Sequence, residues 1–216
     1  MRRELDNFII ESDIELDYFD DIVRHIVENE KRIFDFFKLD KLPNKVRILI
    51  LSYEPFKEFI ISKYGEIMNY VAGDSDWRTC TIRILNVSDR IKYTTHKNSD
   101  VEEIKGTALH EIVHQCHHLF HNDYRGTTWF LEGLATNLSN QKYQIHSLDN
   151  CDFDNLRADF RHYKDAYQFS YTLVNYILNN YSDSEIEKLC KDPDYLRKNA
   201  DRIFEEARLW VNSKVC

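Results

Sequence analysis

Apolar positions along this chain change period several times, and each change marks an element. Asn7-Phe8-Ile9-Ile10-Glu11 is a short apolar run that reads as a strand. From Ile14 to Phe37 the residues Leu16, Phe19, Ile22, Val23, Ile26, Val27, Ile33, Phe34 and Phe37 recur at helical spacing, with charges filling the opposite face. Leu42-Pro43-Asn44 breaks that pattern, and Val46 to Leu51 predicts a buried strand. Glu54 to Ser62 predicts a short helix with Pro55 in its first turn. Ile67 to Ala72 predicts a third strand, closed by Gly73-Asp74-Ser75-Asp76, and Thr79 to Val87 alternates as a fourth. Ser99-Asp100-Val101-Glu102 reads as a capping box that starts a helix near Asp100.

Helical periods dominate from there on. The helix from Asp100 is predicted to run to about Phe120, with a turn over His121 to Thr127 and a second helix from Thr128 to about Gln141. The segment from Lys142 to Asn155 is polar and irregular. Helical spacing returns from Asn155 or Arg161 through Tyr167, Tyr171, Val174, Ile177 and Leu178. Ser182-Asp183-Ser184-Glu185 is another capping box, and Asp192-Pro193 reads as a cap with proline at the first helical position. Short helices to about Lys191 and Asn199 then precede a final one over roughly Asp201 to Val211. The fold class is α+β: residues 1–121 form an N-terminal α/β lobe with a small mixed sheet, residues 122–216 an all-helical C-terminal lobe, and the two make one domain.

Composition narrows the function classes. A length of 216 residues fits one compact domain or a domain of two lobes, and 43% apolar side chains supply a sizeable core. With 29 basic and 37 acidic residues the net charge is −8, which argues against nucleic acid or anionic lipid as the main partner. Five cysteines (Cys80, Cys116, Cys151, Cys190, Cys216) are odd in number and scattered without a CxxC pair, which points to a reducing compartment. Met1-Arg2-Arg3-Glu4-Leu5-Asp6 has no apolar run, so no signal peptide or membrane span is expected and the location is read as cytoplasmic. There is no phosphate-binding Gly-rich loop and no Gly-x-Ser-x-Gly elbow.

The chemistry concentrates in Leu109-His110-Glu111-Ile112-Val113-His114 and Trp129-Phe130-Leu131-Glu132-Gly133-Leu134-Ala135. His110 and His114 are four apart, so a helix stacks their imidazoles on one face, the placement needed to grip one metal ion at about 2.0–2.1 Å. Glu111 sits at the edge of that face, where a carboxylate can reach a metal-held water without being a ligand. A helix ending near Phe120 and a second starting near Thr128 would bring Glu132 back level with the two histidines if they pack antiparallel. His110, His114 and Glu132 with an open fourth position make a catalytic zinc site. Leu109, Ile112, Val113, Cys116, Leu119 and Phe120 form the buried stripe of the same helix, which gives Cys116 a packing role. His117 and His121 continue the histidine stripe and are read as solvent-side groups or groups that support the ligands; His118 is on another face.

These residues resemble the gluzincin metallopeptidases, in particular the small peptidase-MA-like or minigluzincin type. The pattern is HExxH on one helix and an E-G-hydrophobic-A block on the next, here Glu132-Gly133-Leu134-Ala135, with 17 residues between His114 and Glu132. The resemblance implies a zincin-like fold, with the HExxH helix between two lobes, and zinc-dependent hydrolysis of peptide bonds with Glu111 as general base. It implies that an extended peptide substrate pairs with the edge strand of the sheet near residues 80–87, unless the segment from Ser88 to Asn98 covers that edge. It also places the transition-state-stabilising tyrosine at Tyr167, in Ala166-Tyr167-Gln168-Phe169-Ser170-Tyr171-Thr172-Leu173-Val174, with Tyr171 and His162 as neighbours able to serve instead. Many relatives carry an acidic residue four places after the third ligand to orient a histidine. This chain has Thr136 there, which leaves that task to Thr136 or Asn137. An aminopeptidase-like or other zinc hydrolase, or a catalytically silent binding module, would share the same motifs.

Overall fold

The computed structural model describes residues 1–141 and 143–215; the sequence readings that touch Lys142 and Cys216 lie outside the described residues. The chain divides into two compact units, Met1–Cys116 and His117–Cys216. In the first, the order is β1 (Arg2–Glu4), β2 (Phe8–Ser12), α1 (Phe19–Phe37), β3 (Val46–Leu51), α2 (Tyr53–Tyr64), β4 (Gly73–Asp76), β5 (Thr81–Leu85), α3 (Val87–Tyr93) and α4 (Val101–His117). The helices of the second are α5 (Thr128–Leu138), α6 (Phe153–Ala158), α7 (Ala166–Asn180), α8 (Asp183–Lys191) and α9 (Pro193–Val215). The α+β character is as the periodicities predict. Among the described residues no helix is long and apolar enough to cross a membrane.

The strands form a five-stranded mixed sheet in the order β1-β2-β3-β5-β4. β2, β3 and β5 run parallel, and the outer strands β1 and β4 are antiparallel to their neighbours. The register puts Phe8, Ile10, Val46, Ile48, Ile50, Ile82 and Ile84 on one face, and all seven are buried. Phe8 meets Phe34 of α1 there, with ring centroids 6.3 Å apart. The opposite face carries Leu51 and Leu85, covered by Phe56 and Ile60 of α2.

Two sequence readings are corrected on this sheet. Ile67 to Ala72 is not a strand; Ile67 and Tyr70 are exposed, while Met68 and Val71 pack against the α2 cluster. The strand is instead the polar tetrapeptide Gly73–Asp76, read from sequence as a closing turn. It is held through tertiary contacts that no local pattern carries. Asp74 is buried and accepts from Lys63 Nζ at 2.6 Å and from the Tyr64 hydroxyl at 2.7 Å. Consequently residues 80–87 are not the edge: β5 lies between β3 and β4, and β4 is the free border on that side. The segment after β5 begins with α3, whose N-cap Asn86 accepts from the Asp89 amide at 3.1 Å.

Smaller shifts follow from caps. α1 begins at Phe19, five residues after the first apolar position of its pattern, and α4 ends at His117 rather than Phe120. The cap of α4 is Asp100, whose carboxylate accepts from the Glu103 amide at 2.9 Å, one residue later than the predicted Ser99–Glu102 box. The helical spacing expected from Asn155 or Arg161 is two helices, α6 and α7, separated over residues 159–165, and α9 is continuous where two helices were predicted. The Ser182–Glu185 capping box is present as predicted.

Candidate metal centre

α4 is capped by Asp100 and anchored in the first unit by Ile104, Ala108, Leu109, Ile112, Val113 and Cys116, all fully buried. Burial pushes the Cys116 thiol well above its ordinary range, so it stays protonated and serves as packing. With that stripe fixed inward, the neighbouring stripe presents His110 and His114, whose rings stand edge to face with centroids 4.6 Å apart. Both are largely buried, as is Glu111.

Glu132 lies in the second turn of α5. One ligand atom from each of His110, His114 and Glu132 falls within 4.8 Å of the others, and among the described residues no other group of three such side chains does so. Donors around one tetrahedral ion at about 2.1 Å stand about 3.4 Å apart, so small side-chain adjustments suffice for a single metal ion. The two imidazoles and one carboxylate that the sequence singled out are thus brought together as a group able to hold a metal.

The glycine after Glu132 has a spatial reason. A Cβ at Gly133 would overlap the Ser170 carbonyl oxygen of α7 and stand 2.6 Å from Val174 Cγ2. α5 therefore lies directly on α7, and the Glu-Gly block sets the candidate ligand Glu132 beside a helix-crossing point. Asn137 fastens the same crossing: its Nδ2 donates to Gly133 O at 2.7 Å and Tyr171 O at 3.1 Å, and its Oδ1 accepts from Asn175 at 3.0 Å. Thr136 is fully buried and returns its hydroxyl to Glu132 O and Gly133 O, both at 2.9 Å. Both side chains suggested as histidine-orienting groups are thus occupied in binding α5 to itself and to α7.

The remaining candidates separate clearly. Tyr167 is in the first turn of α7, 41% exposed, with its ring edge-on to Phe160 at 5.3 Å. Tyr171 packs against Tyr143 at 5.7 Å, and exposed His162 pairs with Asp159 at 2.7 Å. His117 is not a solvent-side group: it is 1% exposed, among Phe120, Tyr124 and Phe130. Burial lowers the pKa of His121, whose Nδ1 accepts from the Asp123 amide at 3.2 Å. These two histidines hold the end of α4 and the turn after it.

Beyond the named residues, the structure adds a strand to the site. The outward-pointing peptide groups of β4 follow from its ladder. Leu85 N donates to Ala72 O at 3.0 Å, so alternation turns the backbone groups of Gly73 and Ser75 away from β5. The only sequence signal for this strand was negative, a polar stretch that happens to contain small residues on one face. In comparisons with known proteins, no family model matches the chain and no curated protein is significantly similar to it.

Proposed function

We propose that this chain is a zinc-dependent peptidase that hydrolyses peptide bonds. The observation that carries the reading is the meeting of the His110, His114 and Glu132 donors within 4.8 Å, with buried Glu111 next to the first histidine. The donor set sets magnesium and calcium aside, because they take oxygen ligands, and among the ions that two imidazoles and a carboxylate suit, the gluzincin resemblance favours zinc. Zinc in a three-ligand site lowers the pKa of a water it holds and polarises a carbonyl.

Glu111 is placed in this reading as the general base, taking the proton of the attacking water and passing it to the leaving amine. Tyr167, by the gluzincin resemblance, donates its hydroxyl to the developing oxyanion. The substrate is an extended peptide that adds to the outer edge at β4, using the outward peptide groups of Gly73 and the Ser75 amide, while the Ser75 carbonyl accepts from Lys63 Nζ at 3.4 Å. A reducing cytoplasm fits the thiols of Cys80, Cys116, Cys151 and Cys190, which are all free.

A peptide-library cleavage screen of the zinc-loaded protein, run beside Glu111→Gln, tests the reading. The wild type should cleave and lose cleavage to a chelator. Glu111→Gln should keep zinc and lose at least about a hundredfold in turnover. Cleavage by Glu111→Gln at the wild-type rate would remove Glu111 as base, and no cleavage by the wild type would favour a silent binding module.

A further inference from the structure

Thr107, Glu111 and Gln115 are four residues apart, so they form one stripe of α4. Thr107 and Glu111 face Gly73 of β4, and Gln115 faces Ser75. Gln115 Nε2 donates to Ser75 Oγ at 2.6 Å. A Cβ at Gly73 would lie 2.5 Å from Thr107 Cγ2, 3.0 Å from Glu111 Oε1 and 3.5 Å from Glu111 Cγ. Gly73 does not have a positive φ, so its conformation suits other residues and only the space demands glycine. Thr107 is not free to turn away. Its hydroxyl accepts from buried Arg90 at 2.9 Å and donates to Glu103 O at 2.8 Å. The Glu111 carboxylate is therefore backed by bare backbone of the sheet's edge strand.

We propose that Gly73 is the positioning residue for Glu111. The absence of a side chain at 73 sets how closely the carboxylate stands to the edge strand, and so to a peptide lying along that strand. The inference rests on the reading of Glu111 as the general base. A methyl group at 73 makes Glu111 give way by a few tenths of an ångström. Catalytic groups need placement to about 0.5 Å, and a displacement of 1 Å can cost about a hundredfold.

Two measurements test it, one independent of activity. In the metal-free protein, Gly73→Ala should lower Tm by about 3–10 °C, as overpacking does. In a Glu111→Ala background the same substitution should cost about 2 °C or more less, because the carboxylate it meets is gone. Strict additivity would show that Gly73 does not bear on Glu111 and would overturn the proposal. The second measurement uses Thr107→Ser, which removes the methyl that a Cβ would strike and keeps the hydroxyl. With zinc content checked, Gly73→Ala/Thr107→Ser should regain most of the lost Tm. Its kcat should stay about ten- to a hundredfold low, with KM changed less than about threefold. Recovery of kcat together with Tm would mean packing damage alone, and would sink the positioning role. If the wild type cleaves no peptide, the peptidase reading fails, and the Tm cycle still decides whether Gly73 places Glu111.

Discussion

A methyl group at position 133 would meet the Ser170 carbonyl and Val174, and this one missing side chain explains half of the Glu-Gly block. Alanine in mid-helix ordinarily gains up to about 1 kcal/mol over glycine. Here the backbone of α7 stands in the way, and overpacking of this kind costs about 1–3 kcal/mol or more. Gly133→Ala is therefore expected to destabilise the protein by a net 1–2 kcal/mol or so in urea titration. A gain in stability would show that α5 and α7 do not approach as closely as described. At this scale the His110 and His114 pair was legible because helical spacing puts both on one face, and Glu132 from the Glu-Gly block that follows. The roles of Thr136 and Asn137 were not. Whether a short polar side chain reaches outward or bonds its own helix depends on what packs over it.

Among the elements, β3 was legible as an apolar run broken only by Arg47, and β5 by the alternation of Ile82, Arg83 and Ile84. β4 was not, since its Gly-Asp-Ser-Asp sequence is stabilised by Lys63 and Tyr64 at the end of the preceding helix and by Gln115, 40 residues from Ser75. The edge at residues 80–87 was an implication of the gluzincin resemblance, and β5 lies inside the sheet instead, because strand order is a long-range property that one strand's sequence does not encode. On α7, the first turn holds Tyr167 and the second Tyr171, so a register error of one turn exchanges them. Tyr167→Phe should lower kcat by about a hundred- to a thousandfold with little change in KM, as the loss of an oxyanion donor does. Tyr171→Phe should change kcat far less. Peptide kinetics on the two variants, with zinc content measured in both, check the assignment; a large loss confined to Tyr171→Phe would move the role one turn along.

Across the whole molecule, the alternation of apolar runs and helical periods revealed an α+β chain, and the net charge of −8 turned attention away from nucleic acid. To those features the described residues add one group of three side chains able to hold a metal, two on α4 and one on α5. Because a site of this kind forms only in the folded chain, binding a metal there should also raise Tm, and by more as the free metal concentration rises above its Kd. The central claim is that His110, His114 and Glu132 together hold one zinc ion. Elemental analysis of the purified wild type beside His110→Ala, His114→Ala and Glu132→Ala tests it most directly. The account predicts about one zinc per chain in the wild type and a marked loss in each variant, as expected for a three-ligand site. Full zinc retention in Glu132→Ala, or a wild type that takes up no zinc when supplied with it, would contradict the account.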